Sequence, residues 1–193
     1  MRDLYIGLMS GTSLDGVDGV IADFGSGQCQ VLAHASAPFT PELKAQLLAL
    51  NHAGENELHR AALSGNALVR VYAEVVARLL GASNIPRAQV HAGGARGQTV
   101  RPRPQEFDGT GYTLQLCQPA LLAELVGIDV VADFRSRDVA GGGQGGALAP
   151  SFLITGLDLV IPIKRGAAPH RIGMAGTSPA MTGEDVTQDR AMP

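Results

Sequence analysis

Gly11-Thr12-Ser13-Leu14-Asp15-Gly16-Val17-Asp18 is the stretch on which the reading of this chain turns. It joins two apolar runs, Leu4–Met9 and Val17–Phe24, both of which read as buried strands, so it is the connection of a hairpin. Gly11 and Gly16 allow positive φ and close backbone approach. Thr12 and Ser13 bring hydroxyls, and successive main-chain N–H groups in such a turn form an anion-binding nest. Asp15 and Asp18 are unsuited to holding phosphate directly but suit a metal that bridges to it. The combination points to a magnesium–nucleotide site at a hairpin tip. The alternative is a plain hairpin turn that uses glycine and aspartate for geometry alone.

Outward from this turn, Gly25–Gly27 makes a second turn and Gln30–Ala35 a third strand, giving an antiparallel meander. Pro41 opens a helix to about Leu50, with Thr40 as its N-cap. Over Glu55–Leu80 the residues Leu58, Ala61, Ala62, Gly65, Leu68, Val69, Tyr72, Val75, Val76 and Leu79 recur at helical spacing, and Gly81 is the expected stop. That stripe reads as core packing. Gln89–Gly93 reads as a short strand running into Gly93, Gly94 and Gly97, and Thr113–Leu116 as another. Pro119–Leu125 is a helix followed by Gly127, and Asp129–Phe134 a buried strand ending in the charged cluster Asp133, Arg135, Arg137 and Asp138. Strand, helix, strand in that order implies a crossover onto a sheet with helices against its faces. A meander followed by such crossovers is the layout of an actin-like (ribonuclease H-like) α/β lobe, a mixed sheet with flanking helices.

Composition narrows the function. With 193 residues, 45% hydrophobic and 17% charged, the chain is long enough for one good core and part of a second, and is expected to be globular. A net charge of −3 and a pI near 5.9 argue against a nucleic-acid partner, as do 4% aromatic residues and no Trp. Cys29 and Cys117 are far apart in sequence, with no His or Cys at metal-ligand spacing, and read as reduced, buried thiols. Neither a signal peptide nor an apolar run of membrane length is present, so the expected location is cytoplasmic, with no membrane partner. No feature of the sequence speaks to an oligomeric state.

Beyond Asp138 the texture changes. Gly141, Gly142, Gly143, Gly145 and Gly146 surround Gln144 in an expected flexible loop, and Leu157–Ile161 could form one more strand. From Pro162 to Pro193 apolar periodicity is gone and Pro, Gly, Ala, Ser and Thr dominate, which predicts a poorly ordered tail. The expected division is a lobe over 1–152 and a divergent tail over 153–193.

Several motifs, in order, resemble one family. Ile6-Gly7-Leu8-Met9-Ser10-Gly11-Thr12-Ser13-Leu14-Asp15-Gly16-Val17-Asp18 is similar to the N-terminal signature of anhydro-N-acetylmuramic acid kinases. Gly97-Gln98-Thr99-Val100-Arg101 resembles the family's second motif. Thr113-Leu114-Gln115-Leu116, Pro119-Ala120-Leu121-Leu122-Ala123-Glu124, Val131-Ala132-Asp133-Phe134-Arg135-Ser136-Arg137-Asp138 and Gly142-Gly143-Gln144-Gly145 resemble the third region. The resemblance covers about residues 4–152. It departs from the family pattern at Arg96 and Pro102, where His is usual, at Cys117 and Gln118, and at Gly146-Ala147.

The resemblance implies a sugar-kinase N-terminal lobe that uses ATP and Mg2+ on an amino sugar, opening its 1,6-anhydro ring and phosphorylating O6 in cell-wall recycling. It implies that Gly11, Thr12, Ser13, Leu14, Asp15, Gly16, Val17 and Asp18 bind ATP, and that Gln98, Thr99, Asp133 and Arg135 line the sugar side. It places the family's catalytic Asp in an Asp-x-Gly-Pro-Gly-Asn motif that does not occur in this sequence. The expectation is therefore a truncated N-terminal half, inactive alone, with no catalytic residue assigned. The alternatives are a non-catalytic remnant, at most a weak nucleotide- or sugar-binding lobe, and an independent sugar-binding module.

Overall fold

The computed structural model describes residues 2–145. In chain order its strands are β1 (Leu4–Ser10), β2 (Gly16–Asp23), β3 (Gln30–Pro38), β4 (Val90–Ala95), β5 (Gln98–Pro104), β6 (Gly111–Leu116) and β7 (Val130–Ala132). Its helices are α1 (Pro41–Ala49), α2 (Glu57–Ser83), α3 (Pro119–Val126) and α4 (Phe134–Ala140). Five strands form one sheet in the order β3-β2-β1-β4-β7, and β5 and β6 pair separately. The first three strands are the expected antiparallel meander, while β4 runs parallel to β1, and β7 parallel to β4.

Alternation along the strands decides which face is covered. Leu4, Ile6 and Leu8 of β1 and Val17 and Ile21 of β2 join Leu68, Val69, Tyr72, Val75, Val76 and Leu79 of α2 in one core. The helical stripe read from the sequence is therefore the core face of α2. Val20 and Ala22, on the opposite face of β2, are buried with Phe24 packed against them. At the head of α1 the Thr40 hydroxyl accepts the Leu43 amide at 3.2 Å, as expected of an N-cap with Pro next in line.

Four local expectations are corrected. First, α2 continues through Gly81 to Ser83 and stops at Asn84, whose φ of 52° takes the left-handed cap. A glycine inside a helix costs only about 1 kcal/mol, and the Ser83 hydroxyl donates back to the Leu79 carbonyl at 2.7 Å across the last turn. Second, the strand expected over Asp129–Phe134 pairs only through Ala132, because Asp133 turns to a φ of 65° and starts α4 at Phe134. Third, Cys29, expected to be a buried thiol, is exposed just before β3, and Cys117 is only partly buried. Fourth, within the glycine-rich loop expected to be flexible, Gly141–Gly145 is tied down: the Asp138 carboxylate accepts the Gly145 amide at 2.8 Å, and Gln105 donates to the Gly142 carbonyl at 3.3 Å. Gly146, the strand expected at Leu157–Ile161 and the tail over 153–193 lie outside the described residues. Among the described residues no helix is long and apolar enough to cross a membrane.

Leu68 is fully buried between helix and sheet. Leu68→Ala is expected to lower the unfolding free energy by about 2–5 kcal/mol, and Thr40→Ala by about 1 kcal/mol, both measured by urea denaturation.

Candidate functional site

The parallel strands bring three loops to one edge of the sheet. Leu8, Ala95 and Ala132 are level with one another across β1, β4 and β7. The residues that leave those strands at their carboxyl ends are the turn beginning at Gly11, then Arg96, then Asp133. In α/β sheets, ligands bind outside the carboxyl ends of parallel strands, where loops diverge. The three segments singled out from sequence thus meet at one edge for a topological reason.

The turn between β1 and β2 is closed by the Leu14 amide, which donates to the Gly11 carbonyl at 3.2 Å. Thr12 and Ser13 are exposed at its tip, and their amides donate to no other atom among the described residues. Neither Gly11 nor Gly16 has the positive φ expected for them; Leu14 takes it instead, at 56°. A left-handed residue costs roughly 1–2 kcal/mol, but the Leu14 side chain is 5% exposed within the main core, and full burial of leucine is worth about 1.5–3 kcal/mol. Burial wins, so the strained position falls on a leucine. Gly16 is required for the other expected reason, close approach: a Cβ there would lie 2.2 Å from the Ala37 carbonyl oxygen.

The two carboxylates of this segment diverge. Asp15 is hydrogen-bonded to Lys44 of α1 at 3.2 Å, and this bond, aided by the Ser13 hydroxyl, holds its carboxyl below the usual value. Asp18 belongs to the face of β2 that carries Val20, and it contacts His34 Nε2 at 3.3 Å, a diagonal cross-strand pair. Among the described residues no three His, Cys, Asp or Glu side chains gather into a metal cage. Because the two diverge they do not share one ion; Asp15, exposed beside the free turn amides, fits the single-carboxylate hold that Mg2+ accepts when phosphate and water complete its shell.

Beside Arg96 and Asp133 lies a cleft of about 320 Å³ whose polar wall comprises Arg96, Thr113, Gln115, Cys117, Asp133 and Ser136. Of the four residues expected on the sugar side, Asp133 lines it directly. Thr99 reaches it through a relay: its hydroxyl donates to Gln115 Oε1 at 2.8 Å, and Gln115 Nε2 donates to the Thr113 hydroxyl at 2.8 Å. Gln98 is buried and is not part of the cleft wall; its Nε2 donates to the Thr99 carbonyl, and its Oε1 has no partner among the described residues. Arg135, half-buried in α4, is likewise not on the wall. Thr113, Gln115 and Ser136 were given no role from sequence. The alternation of Thr113 and Gln115 along one strand was the available signal, but only pairing with Thr99 on β5 tells which face it serves.

Sequence comparison identifies the family. A profile described as Anhydro-N-acetylmuramic acid kinase matches residues 3–158. The chain belongs to the anhydro-N-acetylmuramic acid kinase family. The fold of that family is the actin-like ATPase and sugar-kinase fold, and the sheet order found here accords with it. Curated relatives of that name include proteins from Albidiferax ferrireducens, 68% identical over 152 residues covering 79% of this chain, and Variovorax paradoxus, 66% identical over 150 residues covering 78%. A third, from Cupriavidus metallidurans, is 57% identical over 149 residues covering 77% of the chain. The chain spans only 39–40% of the length of these relatives.

Two predictions follow from the site geometry. Gly16→Ala, which drives a Cβ into the β3 backbone, is expected to destabilise by about 1–3 kcal/mol. Gly11→Ala, whose Cβ would come no closer than 3.5 Å to a neighbour, is expected to be near neutral in the same urea titration. For pH, burial pushes the Cys117 thiol up to about 11 from 9.0. The unfolded chain therefore loses this proton first, and stability falls as pH rises from about 9 to about 11. Cys117→Ala should flatten that part of the stability–pH curve.

Proposed function

We propose that this chain supplies the nucleotide-phosphate and sugar-binding lobe of an ATP-dependent kinase of 1,6-anhydro-N-acetylmuramic acid, acting in the cytoplasm in cell-wall recycling. The observation that carries the reading is the convergence of the Gly11 turn, Arg96 and Asp133 at the carboxyl ends of three parallel strands. The names of the relatives support the substrate class.

On this reading the Thr12 and Ser13 amides and hydroxyls receive the ATP phosphates, within the segment Gly11–Asp18. Asp15, exposed at the turn, is the residue that would hold Mg2+. When bound, that ion neutralises charge on the transferring phosphate. Asp133 and the Thr99–Gln115–Thr113 relay orient sugar hydroxyls from the cleft wall, with Gln98 and Arg135 supporting that side. Phosphoryl transfer depends on positioning and charge stabilisation, and amide, hydroxyl and guanidinium donors supply both.

Titration of the 193-residue chain with Mg-ATP, followed by amide NMR shifts, tests the proposal. The expected outcome is perturbation centred on Gly11–Asp18 with a Kd of about 1 mM, equivalent to about 4 kcal/mol, and no sugar-dependent ADP release. Perturbations confined to the Gly141–Gly145 loop, with none at Gly11–Asp18, would overturn the assignment.

A further inference from the structure

The wall of the cleft beside β6 divides its charge between two residues at the ends of neighbouring parallel strands. Ala95 of β4 and Ala132 of β7 are level, so Arg96 and Asp133 follow them side by side, and both line the cleft. Their settings differ. The Arg96 amide donates to the Leu8 carbonyl at 3.1 Å, which extends the β1–β4 ladder by one bond and holds the residue at a rigid strand end. Arg96 is half-buried, while Asp133 is exposed. The neutral part of the wall is engaged largely with itself: Thr99 donates to Gln115 Oε1, and Gln115 Nε2 donates to the Thr113 hydroxyl, each at 2.8 Å. Arginine carries only donors and stays charged at any working pH, whereas an ionised aspartate only accepts. A sugar hydroxyl can be served by either group. A carboxylate on the ligand can be served, among the charged residues of this wall, by Arg96 alone. At about 320 Å³ the cleft is at the small end of ligand pockets, which run from about 300 to 1,000 Å³, and suits one sugar ring with a short substituent.

We propose that Arg96 sets the specificity of the cleft by binding the carboxylate of an acidic amino sugar. The inference rests on the sugar-kinase reading above and deepens it. In 1,6-anhydro-N-acetylmuramic acid the carboxylate belongs to the lactyl ether, the group that the corresponding glucosamine lacks. A planar guanidinium presents two parallel N–H donors to a carboxylate, and such charge-assisted bonds are about twice as strong as neutral ones. Partial burial adds to this, because water screens the pair less than at an open surface. Asp133 narrows the choice from the other direction: a ligand carboxylate at its end of the cleft meets like charge, so the acidic group has one favourable orientation. That orientation leaves ring hydroxyls to Asp133 and to the Thr113 hydroxyl. In the motif that this segment resembles, His is usual at position 96, and its charge would be lost near neutral pH; the arginine keeps it. The other anion on this reading, the ATP phosphate, is met at the β1–β2 turn by the Thr12 and Ser13 amides, which leaves the guanidinium on the cleft wall to the sugar.

The test titrates the 193-residue chain with 1,6-anhydro-N-acetylmuramic acid, with the neutral 1,6-anhydro-N-acetylglucosamine and with Mg-ATP, following amide NMR shifts. The native chain is compared with Arg96→Gln and Arg96→Lys. In the native chain both sugars are expected to perturb Thr113, Gln115 and Asp133, with the acidic sugar bound at least about 10-fold more tightly. Arg96→Gln is expected to bring the acidic sugar down to the affinity of the neutral one, while the neutral sugar and Mg-ATP bind as before. Arg96→Lys, which keeps the charge without the planar fork, should retain part of the preference. Unaltered binding of the neutral sugar separates this loss from a loss of fold. Equal affinity of the native chain for the two sugars, or a preference that survives Arg96→Gln, refutes the specificity role and leaves the sugar cleft standing. Weakening of both sugars alike in both variants refutes it too, since a carboxylate contact has no hold on the neutral sugar. A weaker Mg-ATP complex in Arg96→Gln, with the sugar preference intact, assigns the arginine to the phosphate and overturns the proposal. Failure of either sugar to perturb the cleft of the native chain would overturn the sugar reading together with the inference.

Discussion

Val75 and Leu79 of α2 crowd the space that a side chain on Gly19 would occupy: a Cβ there would lie 2.5 Å from Val75 and 3.1 Å from Leu79. This absence of a side chain in the middle of β2 sets how closely the long helix lies on the sheet. From that approach follows the rest of the core, because Leu4, Ile6 and Leu8 on the neighbouring strand then meet the same helical face. It also fixes the height of Tyr72, one helical turn before Val76, so that its hydroxyl arrives at Ser10 and not below it. The helix carries no candidate site residue, yet the functional edge depends on where it sits.

At that edge the protein solves an electrostatic problem by separation. The turn offers uncommitted amides, while its acidic residues are engaged elsewhere, Asp15 with Lys44 and Asp18 with His34. An anion approaching Thr12 and Ser13 thus meets donors before it meets bare negative charge. The cleft next to it is built differently, from the neutral Thr99–Gln115–Thr113 relay with Arg96 and Asp133 at its wall. One region is suited to phosphate and its metal, the other to hydroxyl and amide groups of a sugar, and parallel pairing keeps them adjacent.

The sequence made the elements legible wherever a single local signal dominated. Apolar alternation found the meander, the Thr40–Pro41 pair found the start of α1, and the 3.6-residue stripe found the buried face of α2. It was misleading where local propensity met a stronger tertiary force. Gly81, itself exposed, did not end α2, whose left-handed cap falls on Asn84, and Leu14 took the left-handed conformation that glycine was expected to take. At Leu14 a preference of about 1–2 kcal/mol yielded to burial of larger size.

By itself, then, the sequence determined the family, through motifs that a turn and two strand ends need in order to present amides, carboxylates and hydroxyls, and it determined the order of strands and helices through their periodicities. Only the tertiary structure decided which residues share a site. Thr113, Gln115 and Thr99 form one relay because β5 and β6 pair in a particular register, and Asp133 meets Arg96 because β4 and β7 run parallel and level. It also decided that Gln98 and Arg135 stand off the cleft wall, and that Tyr72 joins Ser10 across 62 positions of sequence. Local spacing encodes what a segment can become, but contacts between distant segments depend on register and helix height, which no short stretch of residues specifies alone.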